Sequence, residues 1–171
     1  MVCLAAGFET AALAPGLSLR PVRGQVSVTE GPVRPQAAAW GGYVIPTREG
    51  LLFGATHDRG ETSDEVRAAD HARNLGLLAQ RRPALAASLA GAALGGRAGV
   101  RAAAPDHLPL AGALGEAGLY VLSGLGGRGL CLAPLLAEHV AALALGVPSP
   151  LPRALAAVAA PARFSNGSAG S

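Results

Sequence analysis

Apolar runs open and close the chain, and a stretch of alternating polar and apolar residues lies between them. Val2-Cys3-Leu4-Ala5-Ala6-Gly7 is continuously apolar and ends in glycine, which reads as a short strand buried on both faces of a parallel sheet. Gly118-Leu119-Tyr120-Val121-Leu122-Ser123-Gly124 has the same form, and the two are predicted to be neighbours in one small sheet. A buried strand at the second residue has nothing before it to pair with. The chain is therefore expected to begin in the middle of a fold.

Between Leu17 and Thr56 the pattern becomes β-rich. Gly24–Thr29, Tyr43–Pro46 and Leu51–Thr56 read as strands, the last two as a hairpin turning at Glu49-Gly50. Thr62-Ser63-Asp64-Glu65 has the letters of a capping box before a helix carrying Val66, Ala69, Leu75, Leu78 and Ala79, which stops ahead of Pro83. Residues 84–99 are rich in Ala, Leu and Gly and read equally as helix or strand. Gly99–Ala103 reads as a strand with Arg101 inside it. After Gly118–Gly124 come a glycine-rich loop and an apolar helix, Leu130–Leu145, stopped by Gly146 and Pro148. The segment beyond is rich in Pro and Ala, and Ser165–Ser171 is expected to be a disordered tail. The predicted class is α/β (α+β): an antiparallel, β-rich insertion between two pieces of an α/β layer. The expected boundaries are 1–16, 17–104, 105–147 and 148–171.

Composition narrows the picture modestly. A chain of 171 residues with 50% hydrophobic content can bury a core. All 14 basic residues are Arg, and the net charge of +3 is too small and too scattered to argue for nucleic acid alone. Cys3 and Cys131 lack metal or redox spacing, so buried free thiols in a reducing, cytoplasmic compartment are expected. Leu130–Leu145 is interrupted by Pro134, Glu138 and His139 and reads as too short to span a bilayer, and no stretch from Met1 has the form of a signal peptide, so no membrane association is expected.

The strongest local chemical signal is Gly124-Leu125-Gly126-Gly127-Arg128-Gly129 between a strand and a helix. Its glycines admit a ligand close to the backbone, and the helix end favours an electron-rich group. Taken alone it is equally a glycine-rich turn without a ligand. It reads as not matching the dinucleotide fingerprint at the spacing G-x-G-x-x-G, and no other segment supplies that pattern with an acidic residue downstream, so the pyrophosphate site is expected to be missing. His57, His107 and His139 form no metal set, and Ser123 lacks the G-x-S-x-G context of a hydrolase. Within the predicted helix, His71 reads as a surface or satisfied histidine. Cys131 stands just after the loop and reads as a helix cysteine.

Several blocks together resemble the D-amino-acid-oxidase-like flavoproteins. They are Val2–Gly7, Arg20-Pro21-Val22-Arg23-Gly24-Gln25-Val26, Gly42–Pro46, Gly54-Ala55-Thr56, Arg101 with Pro105-Asp106-His107-Leu108-Pro109, and Gly126–Leu130. Asp70-His71 and Ala133–Glu138 are similar to the oxidoreductase domain of the bifunctional enzymes that make methylaminomethyl-thiouridine at the tRNA wobble position. The resemblance covers roughly the later half of the family domain.

That resemblance implies FAD as cofactor and a substrate domain on a large antiparallel sheet, 17–104, inserted between pieces of an FAD-binding layer. It implies that Gly126, Gly127, Arg128, Gly129 and Leu130 cap the flavin. It also implies that Arg101 holds a substrate carboxylate; Tyr43 reads as lining the same pocket or, alternatively, as a core tyrosine with its hydroxyl at the edge; no residue is assigned to proton chemistry and no metal is expected. For Arg101 the alternative is an ordinary strand-end charge facing water or pairing with Asp106. The implied reaction is oxidation of an amine beside a carboxylate, with carboxymethylaminomethyl-uridine in tRNA first. A glycine- or D-amino-acid-oxidase-like enzyme acting on a small amino acid is second. Third is an inactive fragment that needs a partner chain to supply the N-terminal FAD-binding segment.

Overall fold

The structure is a computed structural model that describes residues 1–167. In chain order the strands are β1 (Val2–Leu4), β2 (Arg20–Glu30), β3 (Ala38–Ala39), β4 (Tyr43–Pro46), β5 (Gly50–Gly54), β6 (Asp58–Arg59), β7 (Gly95–Ala103), β8 (Leu110–Ala113) and β9 (Leu119–Ser123). The α-helices are α1 (Thr10–Leu13), α2 (Ala68–Arg81), α3 (Pro83–Ser88), α4 (Gly129–Leu145) and α5 (Arg153–Ala159), with short 3-10 turns at Gly7–Glu9, Gly126–Arg128 and Pro161–Gly167. The fold is mixed α/β and divides into two compact units, one of residues 1–22 with those from Arg101 onward, the other Arg23–Val100.

The first unit holds a three-stranded sheet in the order β1-β9-β8. β1 runs parallel to β9, with Val2 opposite Leu119 and Leu4 opposite Val121, as the two matching apolar runs predict. β8 pairs antiparallel with β9. Alternation explains why β9 has no polar face. Val121 packs with Leu4, Leu17, Ala104 and Leu110 on one side, whereas Tyr120 and Leu122 join Ala111, Leu136, Val140 and Ala159 on the other. The Ser123 hydroxyl donates to the Gly7 carbonyl at 2.9 Å, tying the ends of β9 and β1 together.

Three expectations for this unit are overturned. β1 is the outermost strand of its sheet, so Val2 and Cys3 are exposed and only Leu4 reaches the core. Cys131, in the first turn of α4, is exposed too, so neither thiol is buried. The 3-10 turn before α4 extends the helical stretch to Gly126–Leu145, which by length and composition could cross a bilayer. In this fold α4 packs on β8 and β9 through Leu136, His139, Val140 and Ala142. The Pro/Ala-rich segment forms α5, and the expected disordered tail is helical over residues 165–167, while 168–171 lie outside the described residues.

In the second unit β4 pairs antiparallel with β5, and β5 with β2, giving the order β3-β4-β5-β2-β6 with β7 also on β2. Val44, Leu51, Phe53, Leu78 and Leu89 form its core. The hairpin requires glycine at position 50. A Cβ there would lie 1.9 Å from the Thr29 carbonyl oxygen and 2.7 Å from the Glu30 Cα, both backbone atoms that cannot swing away. Gly50→Ala is therefore expected to destabilise the chain by about 1–3 kcal/mol, the usual cost of overpacking. Urea unfolding checks this, and an unchanged midpoint would show that the hairpin can open to accept a methyl group.

Helix α2 does not begin as its letters suggest. The Thr62–Glu65 box lies before the helix, Val66 is exposed, and no side chain of the helix's own N-terminus caps it. Gln25 on β2 does that work from a distance: its Oε1 accepts the Arg67 N–H at 2.7 Å, and its Nε2 donates to the Arg67 carbonyl at 2.9 Å. The Ser63 and Glu65 carbonyls instead accept hydrogen bonds from Arg23. His71 is satisfied, its Nδ1 lying 2.8 Å from the Ser27 hydroxyl.

Candidate functional site

Strand β9 ends at Ser123, and three left-handed or open glycines carry the chain from it into α4. Gly124 (φ 67°) and Gly126 (φ 54°) occupy backbone conformations that side chains disfavour. A Cβ on Gly126 or Gly127 would meet nothing within 4 Å, so the loop leaves open space over its backbone. Leu130 is 98% exposed. The N-terminus of α4 has no side-chain cap and no acidic residue in its first turn. The Arg128 N–H there donates to the Leu125 carbonyl at 3.1 Å, and the positive end of a 17-residue helix suits an electron-rich ligand group.

The letters of this loop correct one reading of the sequence. Gly124, Gly126 and Gly129 do carry G-x-G-x-x-G spacing between a strand and a helix. Context still separates it from a dinucleotide-binding unit. Among the described residues α4 is followed by the short helix α5 and not by a returning parallel strand.

Arg101 lies near the end of β7, in the same unit as the glycine loop. Two residues on, Ala103 is bridged to Leu125, immediately before Gly126. The residue as a whole is half-buried, yet its Nη1 is fully enclosed and has no hydrogen-bond partner. Asp106, the alternative partner, is engaged elsewhere: both its oxygens bind Arg163, at 2.8 and 3.1 Å. A buried guanidinium N–H without an acceptor is costly, and a carboxylate is the natural group to complete it.

Arg128 is exposed and its Nη2 donates to the His107 carbonyl at 2.9 Å. Part of its bonding capacity is thus spent on the turn after β7. Tyr43 is half-buried on β4, opposite Ala39 and Gly54, and belongs to the other unit. The loop and Arg101 thus share a unit that does not contain Tyr43.

Sequence reasoning passed over the seam between β2 and α2. Arg23, Gln25 and Ser27 are all fully buried, and Arg23 Nη1 reaches the Asp70 carboxylate at 2.6 Å. Asn74 donates to the Gln25 carbonyl and the Ser27 hydroxyl. Arg73 bridges Asp70 and Asp58, and its hydrogen bond holds the Asp58 carboxyl below the usual carboxylate range. The signal was there in the blocks Arg23-Gly24-Gln25 and Asp70-His71, but nothing local says that they meet.

Residues 2–143 match the family described as FAD dependent oxidoreductase. A tRNA 5-methylaminomethyl-2-thiouridine biosynthesis bifunctional protein from a Caulobacter species is 60% identical over 96% of this chain, which spans 28% of that relative. A counterpart from Azoarcus sp. is 40% identical over 92% of the chain, again spanning 28% of the relative. Among solved structures, glycine oxidase from Geobacillus kaustophilus superposes with a TM-score of 0.76 at 28% identity, covering 90% of this chain and 44% of that one. Iminodiacetate oxidase from a Chelativorans species gives a TM-score of 0.72 at 26% identity, covering 88% and 43%. The family match takes in both the strand bearing Arg101 and the glycine loop before α4, and on that ground the chain belongs to the FAD-dependent oxidoreductases.

Proposed function

We propose that this chain is the later part of an FAD-dependent enzyme that oxidises a carboxylate-bearing amine, with carboxymethylaminomethyl-uridine at the tRNA wobble position as substrate. The observation that carries the reading is the enclosed, partnerless Nη1 of Arg101, on a strand bridged to the open glycine loop. In this reading Arg101 binds the substrate carboxylate and so fixes the adjacent carbon and its hydrogen in one orientation. The backbone of Gly126–Leu130, apart from the Arg128 N–H that donates to the Leu125 carbonyl, and the α4 N-terminus would hold the flavin, whose electron-rich ring suits a positive helix end. FAD, when bound, supplies the two-electron acceptor. Open space over Gly126 and Gly127 fits that assignment. Tyr43 is assigned to the substrate side. The tRNA substrate is taken from the identity to the Caulobacter protein, and a cytoplasmic location is proposed because that is where a tRNA substrate is met. The likeness to glycine oxidase favours a second reading, a small free amino acid in place of tRNA.

The chain spans about 28% of the Caulobacter relative and 44% of glycine oxidase. FAD is therefore expected to bind the 171-residue chain only weakly. A chimera carrying the preceding part of the Caulobacter protein is expected to bind it stoichiometrically. Fluorescence titration of FAD against both proteins is the measurement. Tight binding by the isolated chain would overturn the division of the cofactor site, and failure of the chimera to bind would overturn the flavin assignment. Turnover of the chimera on tRNA and on glycine then separates the two substrate readings.

A further inference from the structure

The turn between β7 and β8 is held from two directions, and one of its two clamps lies in the C-terminal segment. Within the turn, the His107 N–H donates to the Ala104 carbonyl at 2.9 Å and the Leu108 N–H to Asp106 Oδ1 at 3.0 Å. His107 has φ 59°, a left-handed conformation that costs energy in a non-glycine residue and persists only where its surroundings impose it. Its carbonyl receives Arg128 from the glycine loop at 2.9 Å. The next carbonyl, Leu108, receives Arg163 Nη2 at 3.0 Å.

Arg163 uses every N–H it has. Nε and Nη2 take the two oxygens of Asp106, Nη2 also takes Leu108, and Nη1 takes the Ala159 and Ala160 carbonyls at 3.2 and 3.1 Å. The guanidinium carbon lies over the Phe164 ring, 4.5 Å from its centre. The side chain is only 15% exposed, and its hydrogen bond holds the Asp106 carboxyl below the usual carboxylate range. A planar fork with every donor engaged fixes direction in a way that a single surface ion pair does not.

We propose that Arg163, acting through Asp106 and the 105–108 turn, is a positioning residue for the glycine loop. The contacts run from the end of α5 through Arg163 to Asp106 and Leu108, through the His107 carbonyl to Arg128, and so to Gly126–Leu130. The same turn follows Ala103, whose bridge to Leu125 ties the strand of Arg101 to that loop. The C-terminal segment thereby sets the geometry of the ligand-facing backbone without touching a ligand. That the loop faces a flavin rests on the reading above; the coupling between Arg163 and the loop does not.

The test needs no flavin. Amide hydrogen exchange is followed residue by residue in the 171-residue chain and in Arg163→Ala, Asp106→Asn, Arg128→Ala and the Arg163→Ala/Arg128→Ala pair. Each single variant is expected to speed exchange of the residue-128 amide, which donates to the Leu125 carbonyl at 3.1 Å, on the order of tenfold, about what one charge-assisted hydrogen bond holds in place, with β4 and β5 unaffected. The double variant is expected to add nothing at the loop beyond Arg128→Ala alone. Arg163→Lys should restore protection only in part. Asp106→Asn keeps size and shape, so it serves where the alanine variant fails to fold. The proposal is overturned if Arg163→Ala and Asp106→Asn leave loop exchange unchanged, or if the two alanine effects simply add. Because no flavin is present, that failure is distinct from failure of the FAD titration.

Discussion

Asp70→Ala is expected to lower the stability of the β-rich unit by about 3–5 kcal/mol, the cost of removing one partner from a buried ion pair. Arg23 is fully buried, and its nearest carboxylate is Asp70 at 2.6 Å, with Asp58 further off at 3.7 Å. Without Asp70 the guanidinium keeps three neutral acceptors, Gln25 Oε1 and the Ser63 and Glu65 carbonyls, which satisfy its geometry but not its charge. The seam would loosen further, because Arg73 then loses one of its two carboxylates. Replacing both members, as Arg23→Met with Asp70→Leu, should recover much of the loss, since the penalty lies in the uncompensated charge. Urea unfolding of the two variants decides it. A single-variant loss below about 1 kcal/mol would mean that Asp58 or water takes over the pairing.

Acid should act on the same seam. Arg73 lowers the pKa of Asp58 in the folded chain, so the unfolded state binds a proton more readily at this site. The stability contributed there is fully present above the unfolded value of 3.8 and is lost as pH falls through the lower, folded value. Asp58 is partly exposed, so solvent screens this contribution and it stays small beside the buried pair.

The seam also shows where the sequence could be read and where it could not. Along β2 the alternation Arg23, Gln25, Ser27 against Val26 and Val28 suggests a strand with its valines inward, and the strand is indeed there. Its faces are reversed: the three polar residues are fully buried, while both valines are only half-buried. Periodicity located the strand but could not orient it, because the partners of the polar face come from Asp70 and Asn74, more than forty residues away. The same distance hid the true cap of α2, which is supplied by Gln25. β8 was missed for a different reason. Leu110-Ala111-Gly112-Ala113 has little β-branched or aromatic content, and only its pairing with β9 makes it a strand. Apolar runs packed on both faces, such as β9, were the most legible, since burial on either side leaves room for a polar residue only where, as at Ser123, it finds a hydrogen-bond partner. Arg101 and Gly126–Leu130 stood out through blocks shared with a family. The fold brings them into one unit, and no periodicity in the sequence contains that fact.

Arg101→Ala is expected to cost about 10- to 150-fold in kcat/KM in the complete enzyme, the equivalent of about 1.5–3 kcal/mol for one charge-assisted pair. The chimera with the preceding Caulobacter segment is the protein to measure, because it contains both parts of the proposed cofactor site. An enclosed Nη1 with no acceptor gives a substrate carboxylate a place that water does not fill for free. Arg101→Lys should rescue only in part, since an ammonium cannot offer two parallel donors. Arg97, exposed on the same strand, is the control. Its alanine variant should lose little on a small carboxylate-bearing amine. If Arg97 meets tRNA phosphate its effect should shrink at high salt, while that of the enclosed Arg101 persists. The discriminating comparison is between an amine with a carboxylate and the same amine without one: Arg101→Ala should depress turnover of the first far more than of the second. Equal loss on both would mean that Arg101 supports the strand and not the substrate. No loss on the carboxylate-bearing amine would return Arg101 to an ordinary strand-end charge, and the substrate reading built on it would fall.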